Sequence, residues 1–179
     1  MPPLVSTLNL LVAAGAVVLQ VGTLILLAIL ALEKSSSLAQ RIARYVERWG
    51  VAVSFLLFSS ATIMSVYYSA VLGFVPCSLC WWQRVFMFPQ VVLLGIALVK
   101  KDRGVADTSI ALSILGSAVA LYQHYLQMGG SALAPCLSVG SECAQRIMFE
   151  FGYVTFPLVA FSTFAFALVV MLFVRRISR

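Results

Sequence analysis

Four cysteines are the residues of this chain best suited to chemistry, and they fall in two pairs. Cys77 and Cys80 stand in Pro76-Cys77-Ser78-Leu79-Cys80, and Cys136 and Cys143 follow with six residues between them. A Cys-x-x-Cys that opens a helix has the spacing of thiol–disulfide exchange: its sulfurs reach bonding distance, and the helix N-terminus favours a thiolate. Pro76 places a helix start here, because the residue before a proline avoids the α region and the preceding helix must already have ended. The second pair sits among Gly129, Gly130, Pro135 and Gly140, in a stretch able to bend enough to close a disulfide and present it. Two other readings suit four cysteines. As thiolates they could hold a structural zinc, although the second pair lacks chelating spacing. They could also form two inert disulfides, although the small, strained ring of a Cys-x-x-Cys is a poor staple and a good exchange site.

Polar residues flank these thiols. Arg84 follows Cys80 by four residues and shares its helical face. There it would stabilise a thiolate or a reduced anionic ligand, or else extend toward headgroups. His124 is the only histidine, within Tyr122-Gln123-His124-Tyr125-Leu126-Gln127. An ionisable residue near a membrane span commonly faces a site or cavity; a packed, hydrogen-bonded histidine is the alternative. Gln127 lies three positions further on. Gln90 is either a helix–helix hydrogen bond or part of the same pocket.

The elements that must position these residues are apolar. The chain of 179 residues is 62% hydrophobic and 10% charged, with mean hydropathy +1.03; soluble domains carry roughly 25% charged residues. This excludes a cytosolic enzyme, a disordered segment and a disulfide-dense secreted mini-domain. Five runs are long enough to cross a hydrocarbon core, at about 8–32, 50–75, 82–99, 108–128 and 154–174. They lack the polar face that helices of a soluble bundle show. The expected fold is therefore an all-α helical membrane protein, a single integral membrane domain over 1–179. The first run has no Lys or Arg before Glu33 and exceeds a signal-peptide core of about 7–15 residues, so it reads as a retained span.

The formal charge of +6 is too thinly spread to make a basic face for nucleic acid, and no nucleic-acid partner is expected. It reads instead as topology, since basic residues collect in cytoplasmic loops. Lys34, Arg41, Arg44, Arg48, Lys100, Lys101, Arg103, Arg175, Arg176 and Arg179 account for ten of the 12 basic residues and fall on one side. Only Arg84 and Arg146 remain on the other. The N-terminus is then outside, the C-terminus inside, and all four cysteines outside, where disulfides persist. Trp49, Trp81 and Trp82 fall at span ends, where amphipathic rings prefer to sit. Leu38–Trp49 reads as an amphipathic cytoplasmic helix lying on the inner surface, its basic residues toward anionic headgroups of the membrane lipid, or else as a solvated connector.

Together these motifs resemble the DsbB family of bacterial disulfide bond formation proteins. Val75-Pro76-Cys77-Ser78-Leu79-Cys80-Trp81-Trp82-Gln83-Arg84 is similar to the family's Cys-x-x-Cys-x-x-x-Arg segment. Tyr122-Gln123-His124 resembles its histidine-bearing span end, and Gly140-Ser141-Glu142-Cys143-Ala144-Gln145 the stretch around its last redox cysteine. The resemblance runs from Val75 to Pro157. It implies a four-helix redox bundle, here with an additional N-terminal transmembrane helix, in the bacterial cytoplasmic (inner) membrane. The implied activity is that of a quinone-dependent thiol oxidase, which reoxidises a DsbA/BdbD-like thioredoxin-fold partner and passes electrons to ubiquinone or menaquinone. Carried over, Cys136–Cys143 is the disulfide attacked by the partner, with the mixed disulfide at Cys136. Electrons pass to Cys77–Cys80, Cys80 faces the quinone, Arg84 and His124 border it, and no metal is involved.

Two departures stand out: the additional span, and the short spacing of Cys136 and Cys143, which looks more like the BdbC branch. The vitamin K epoxide reductase type of membrane enzyme is a rival, but its loop pair precedes the Cys-x-x-Cys, the reverse of the order here. A small transporter with structural disulfides is a second rival, and would call for paired charges or broken helices in mid-span.

Overall fold

The computed structural model describes residues 3–33, 35–131 and 143–177. Among them are five helices, α1 (Pro3–Leu32), α2 (Ser37–Ala70), α3 (Ser78–Lys100), α4 (Val105–Gln127) and α5 (Phe156–Ile177). All five are long and apolar enough to cross a membrane. Their ends follow from local chemistry. Pro3 stands in the first turn of α1, where its missing N–H costs nothing. Ser36 caps α2 by accepting from Ala39 N at 3.4 Å. Gly73 takes φ +75 in the connection that follows, a left-handed conformation open to glycine. Pro89 lies inside α3; a membrane helix tolerates this where its neighbours cover the freed carbonyl.

Helices α2, α3, α4 and α5 form a closed ring in which each packs on the next and α5 returns to α2, while α1 lies outside against α5. α5 thus meets three neighbours and is the most enclosed helix, and α1 the least. The core runs along α5 through Phe164, Ala167, Val170, Met171 and Phe173, with Phe58 of α2 and Leu94 of α3 packed against them. The Phe58 and Phe164 rings lie 5.7 Å apart. Helices α4 and α5 approach so closely at Gly116 that an added Cβ would stand 2.5 Å from the Phe164 ring. The large apolar side chains left exposed, among them Leu11, Leu24, Leu56, Ile63 and Val92, face what would be lipid.

One element differs from expectation. The stretch 38–49 is not a separate helix lying on a surface but the first part of α2, which runs unbroken for 34 residues, about 51 Å at 1.5 Å rise per residue. The position where a break could fall is Gly50, and its backbone is packed on α5: a Cβ there would stand 2.6 Å from Val174. This contact takes the helix straight through.

Candidate redox and acceptor site

Cys77 is the N-cap of α3 and Cys80 lies in its first turn, so the redox spacing coincides with a helix start. The sulfurs are free and 3.0 Å apart, with Cys77 buried and Cys80 partly so. Cys80 N donates to Cys77 Sγ at 3.4 Å. Even so, the Cys77 thiol is pushed above the ordinary range, first by its hydrogen bond with Cys80 and then by burial. The hydrogen bond shared with Cys80, helped by desolvation, thus keeps a proton on Cys77 within the pair.

A residue that sequence reasoning did not single out completes the pair. Gln123, from α4, directs Nε2 at both sulfurs, 3.1 Å from Cys77 Sγ and 3.3 Å from Cys80 Sγ. Its Oε1 accepts from Gln83 Nε2 at 2.5 Å, which holds the amide with its donors toward the thiols. The available signal was the repeat Gln123, Gln127, four residues apart on one face at the end of α4.

Arg84 turns back against α2. Its Nε donates to Ser65 Oγ at 3.0 Å, and its Nη2 donates to Ser65 O at 2.8 Å and Ser69 Oγ at 3.0 Å. It is 9% exposed and lies 4.9 Å from the centre of the Trp81 ring. No carboxylate pairs with it among the described residues, so its charge remains available to an anion formed nearby.

His124 is placed elsewhere. Its Nδ1 lies 2.9 Å from Thr155 Oγ1, tying the end of α4 to the approach to α5, and it does not line the cavity described below. The expected border position is taken instead by Gln123 and Gln127, one helical step away on the face toward α3. Gln90 is the helix–helix bond: it accepts from Ser109 Oγ at 2.5 Å and donates to Ser113 Oγ at 3.2 Å.

Cys143 is held in a disulfide and is 3% exposed, packed with Cys77, Leu126 and Leu79. Its Sγ lies 3.5 Å from Ser78 Oγ. One end of the second cysteine pair therefore abuts the start of α3. A sulfur in a disulfide is not a thiolate ligand, which removes one donor from the four-thiolate zinc reading. Cys136 lies outside the described residues. The segment after Cys143 is stitched to α4, where Gln127 Nε2 donates to Gln145 O at 2.9 Å and Arg146 donates to Gln127 O.

Beside the thiols is a cavity of about 520 Å³ to which all five helices contribute. Cys77, Cys80, Gln83, Arg84, Gln123 and Gln127 line its polar end, and Leu19, Leu57, Ala61, Met64 and Ala160 its apolar depth. Along α2 it runs from Ser69 back to Leu57, about 18 Å of helix. Gln127 Oε1 is buried there without a hydrogen-bond partner.

Five membrane-capable helices with a dithiol at a helix start, beside an amphipathic cavity, define an integral-membrane protein of thiol–disulfide chemistry. Residues 47–174 match the model of the family described as disulfide bond formation protein DsbB, and the chain belongs to that family. It is 28% identical over 134 residues to the probable disulfide formation protein C 2 of Bacillus anthracis, covering 75% of this chain and 95% of that one. It is 40% identical over 101 residues to the probable disulfide formation protein C 1 of the same organism, covering 56% and 73%. It is 35% identical over 114 residues to the disulfide bond formation protein C of Bacillus subtilis, covering 62% and 81%. No solved structure matches the chain significantly. The protein is thus a multi-pass membrane disulfide oxidoreductase of the disulfide-forming type.

Proposed function

We propose that the chain reoxidises an extracytoplasmic thioredoxin-fold thiol oxidase and delivers the electrons to a membrane quinone, ubiquinone or menaquinone, in the bacterial cytoplasmic membrane. The observation that carries this reading is the cavity. Its polar end presents both thiols, and its depth is apolar, which suits an acceptor with a polar redox ring and a hydrocarbon tail. The lining fits as well: Arg84 would offer positive charge to an oxygen gaining electrons, and the orphaned Gln127 Oε1 would accept a hydrogen bond from a ring hydroxyl.

The partner's thiolate attacks the Cys136–Cys143 disulfide, opening that bond and forming a mixed disulfide at Cys136. The partner's second thiol resolves it and leaves both loop cysteines reduced. Exchange with an oxidised Cys77–Cys80 pair re-forms the loop disulfide and reduces Cys77 and Cys80. The buried contact of Cys143 with the start of α3 supports this order, since exchange needs sulfurs that can meet. A bound quinone supplies a two-electron, two-proton sink. Re-forming the Cys77–Cys80 bond would release two electrons and two protons from the dithiol. Gln123 holds the two sulfurs together, and Arg84 stabilises negative charge at the polar end of the cavity.

The test is oxidation of a reduced thioredoxin-fold partner by purified protein with added quinone. Cys80→Ala is expected to abolish quinone reduction, and Cys136→Ala transfer from the partner. Unchanged turnover in Cys80→Ala overturns the mechanism.

A further inference from the structure

One wall of the cavity lies outside the stretch that matches the family. α1 ends before residue 47, yet Val12, Gly15, Ala16 and Leu19 line the cavity. The helix is docked firmly on the α5 side. Ala13 and Ala16 pack with Met148, Val154 and Leu158. Gln20 donates to Ser162 Oγ and accepts from Tyr153 OH, both at 3.0 Å. Against α2 its contact is sparse, with a buried hydrogen bond of 2.7 Å from Tyr68 OH to Asn9 Oδ1 at the cysteine end.

Between that bond and the short turn from Leu32 to Ser37 the two helices leave a seam. Gly15 and Val18 of α1 and Ser60 of α2 line the cavity and are also exposed on the flank of the molecule. A residue that is both cavity wall and outer surface marks an opening, and on this flank the opening faces hydrocarbon. Gly15 keeps it clear: a Cβ there would meet nothing within 4 Å.

We propose that α1 is the lateral wall of the acceptor site, and that the seam at Gly15, Val18 and Ser60 is the port through which the apolar tail of a lipid-soluble quinone enters and in which it lies. This rests on the quinone reading above. The polar end of the cavity engages the ring; a long tail must leave the cavity, and the seam opens into a medium as apolar as itself.

Binding, rather than turnover, tests the port. A quinone with a long isoprenoid tail and a tail-free quinone are titrated separately into the purified full-length protein. Occupancy is read from quenching of the intrinsic tryptophan fluorescence, to which Trp81, beside Arg84, contributes. Gly15→Phe is expected to raise Kd for the tailed quinone on the order of tenfold while leaving the tail-free Kd within about twofold. Ser60→Phe, on the opposite lip, should reproduce this, so the result does not hang on one variant folding. Val21→Phe, on an exposed part of α1 away from the cavity, should change neither. An unaltered Kd for the tailed quinone in both lip variants overturns the port, as does an equal loss for both quinones. Wild-type protein that binds neither quinone overturns the quinone reading together with the port; wild-type binding with indifferent lip variants overturns the port alone.

Discussion

Gln123 shows how much of the redox chemistry depends on one amide. It donates to both sulfurs of the dithiol and is itself oriented by Gln83. Hydrogen bonds to sulfur are lost in part when the disulfide closes, so they stabilise the reduced pair and make the disulfide more oxidising. Replacing Gln123 with Leu removes them and leaves Gln83 Nε2 without its acceptor. The expected result is a reduction potential for Cys77–Cys80 lower by roughly 30 mV, the equivalent of about 1.4 kcal/mol, measured by equilibration against a thiol redox buffer. His124→Ala is the contrasting substitution. It breaks the Thr155 contact, so it should lower the unfolding temperature and leave that potential unchanged. Equal shifts in potential for both variants would return His124 to the redox site.

At the scale of elements, the close approach of α4 and α5 sets the frame on which α4 offers Gln123 to α3. Gly116 lets the Phe164 ring lie against the α4 backbone, and even a methyl group would stand 2.5 Å from that ring. Because Phe164 is fully buried in the shared core, it has little room to give. Gly116→Ala is expected to cost about 1–3 kcal/mol by overpacking, read as a lower unfolding temperature in detergent. Gly15→Ala, where the added Cβ meets nothing, should leave that temperature unchanged or slightly raised, as alanine is the better helix former. The contribution of α3 is positional. The dithiol, the disulfide-bonded Cys143 and the cavity meet at its N-terminus, and Gln90 locks its middle to α4.

For the whole molecule, the ends of the bundle differ in kind. Cys77, Cys80 and Cys143 gather at one end. At the other, Arg175 pairs with Asp107 at 2.7 Å and Arg176 pairs with Glu33. We read the cysteine end as extracytoplasmic, because the basic residues crowd the opposite end and such residues stay on the cytoplasmic side. A membrane-impermeant maleimide added to intact, reduced cells is therefore expected to label the loop cysteines. Labelling confined to inverted vesicles would reverse the orientation and with it the choice of a soluble partner outside.

Composition alone determined that this chain lives among helices in lipid, because a chain only 10% charged cannot cover a surface that faces water on all sides. Spacing alone marked Cys77, Cys80 and Arg84, because residues three and four apart on a helix are neighbours wherever that helix goes. Tertiary packing decided the rest. Gln123 reaches the thiols because α4 presents that face to α3, and His124, one residue on, is turned toward Thr155. Gly50 carries α2 through without a break because Val170 and Val174 of α5 lie against it. The role of α1 was least legible. Its apolar pattern says only that it crosses, and which of its residues meet lipid and which line a cavity depends on where α5 and α2 stand beside it.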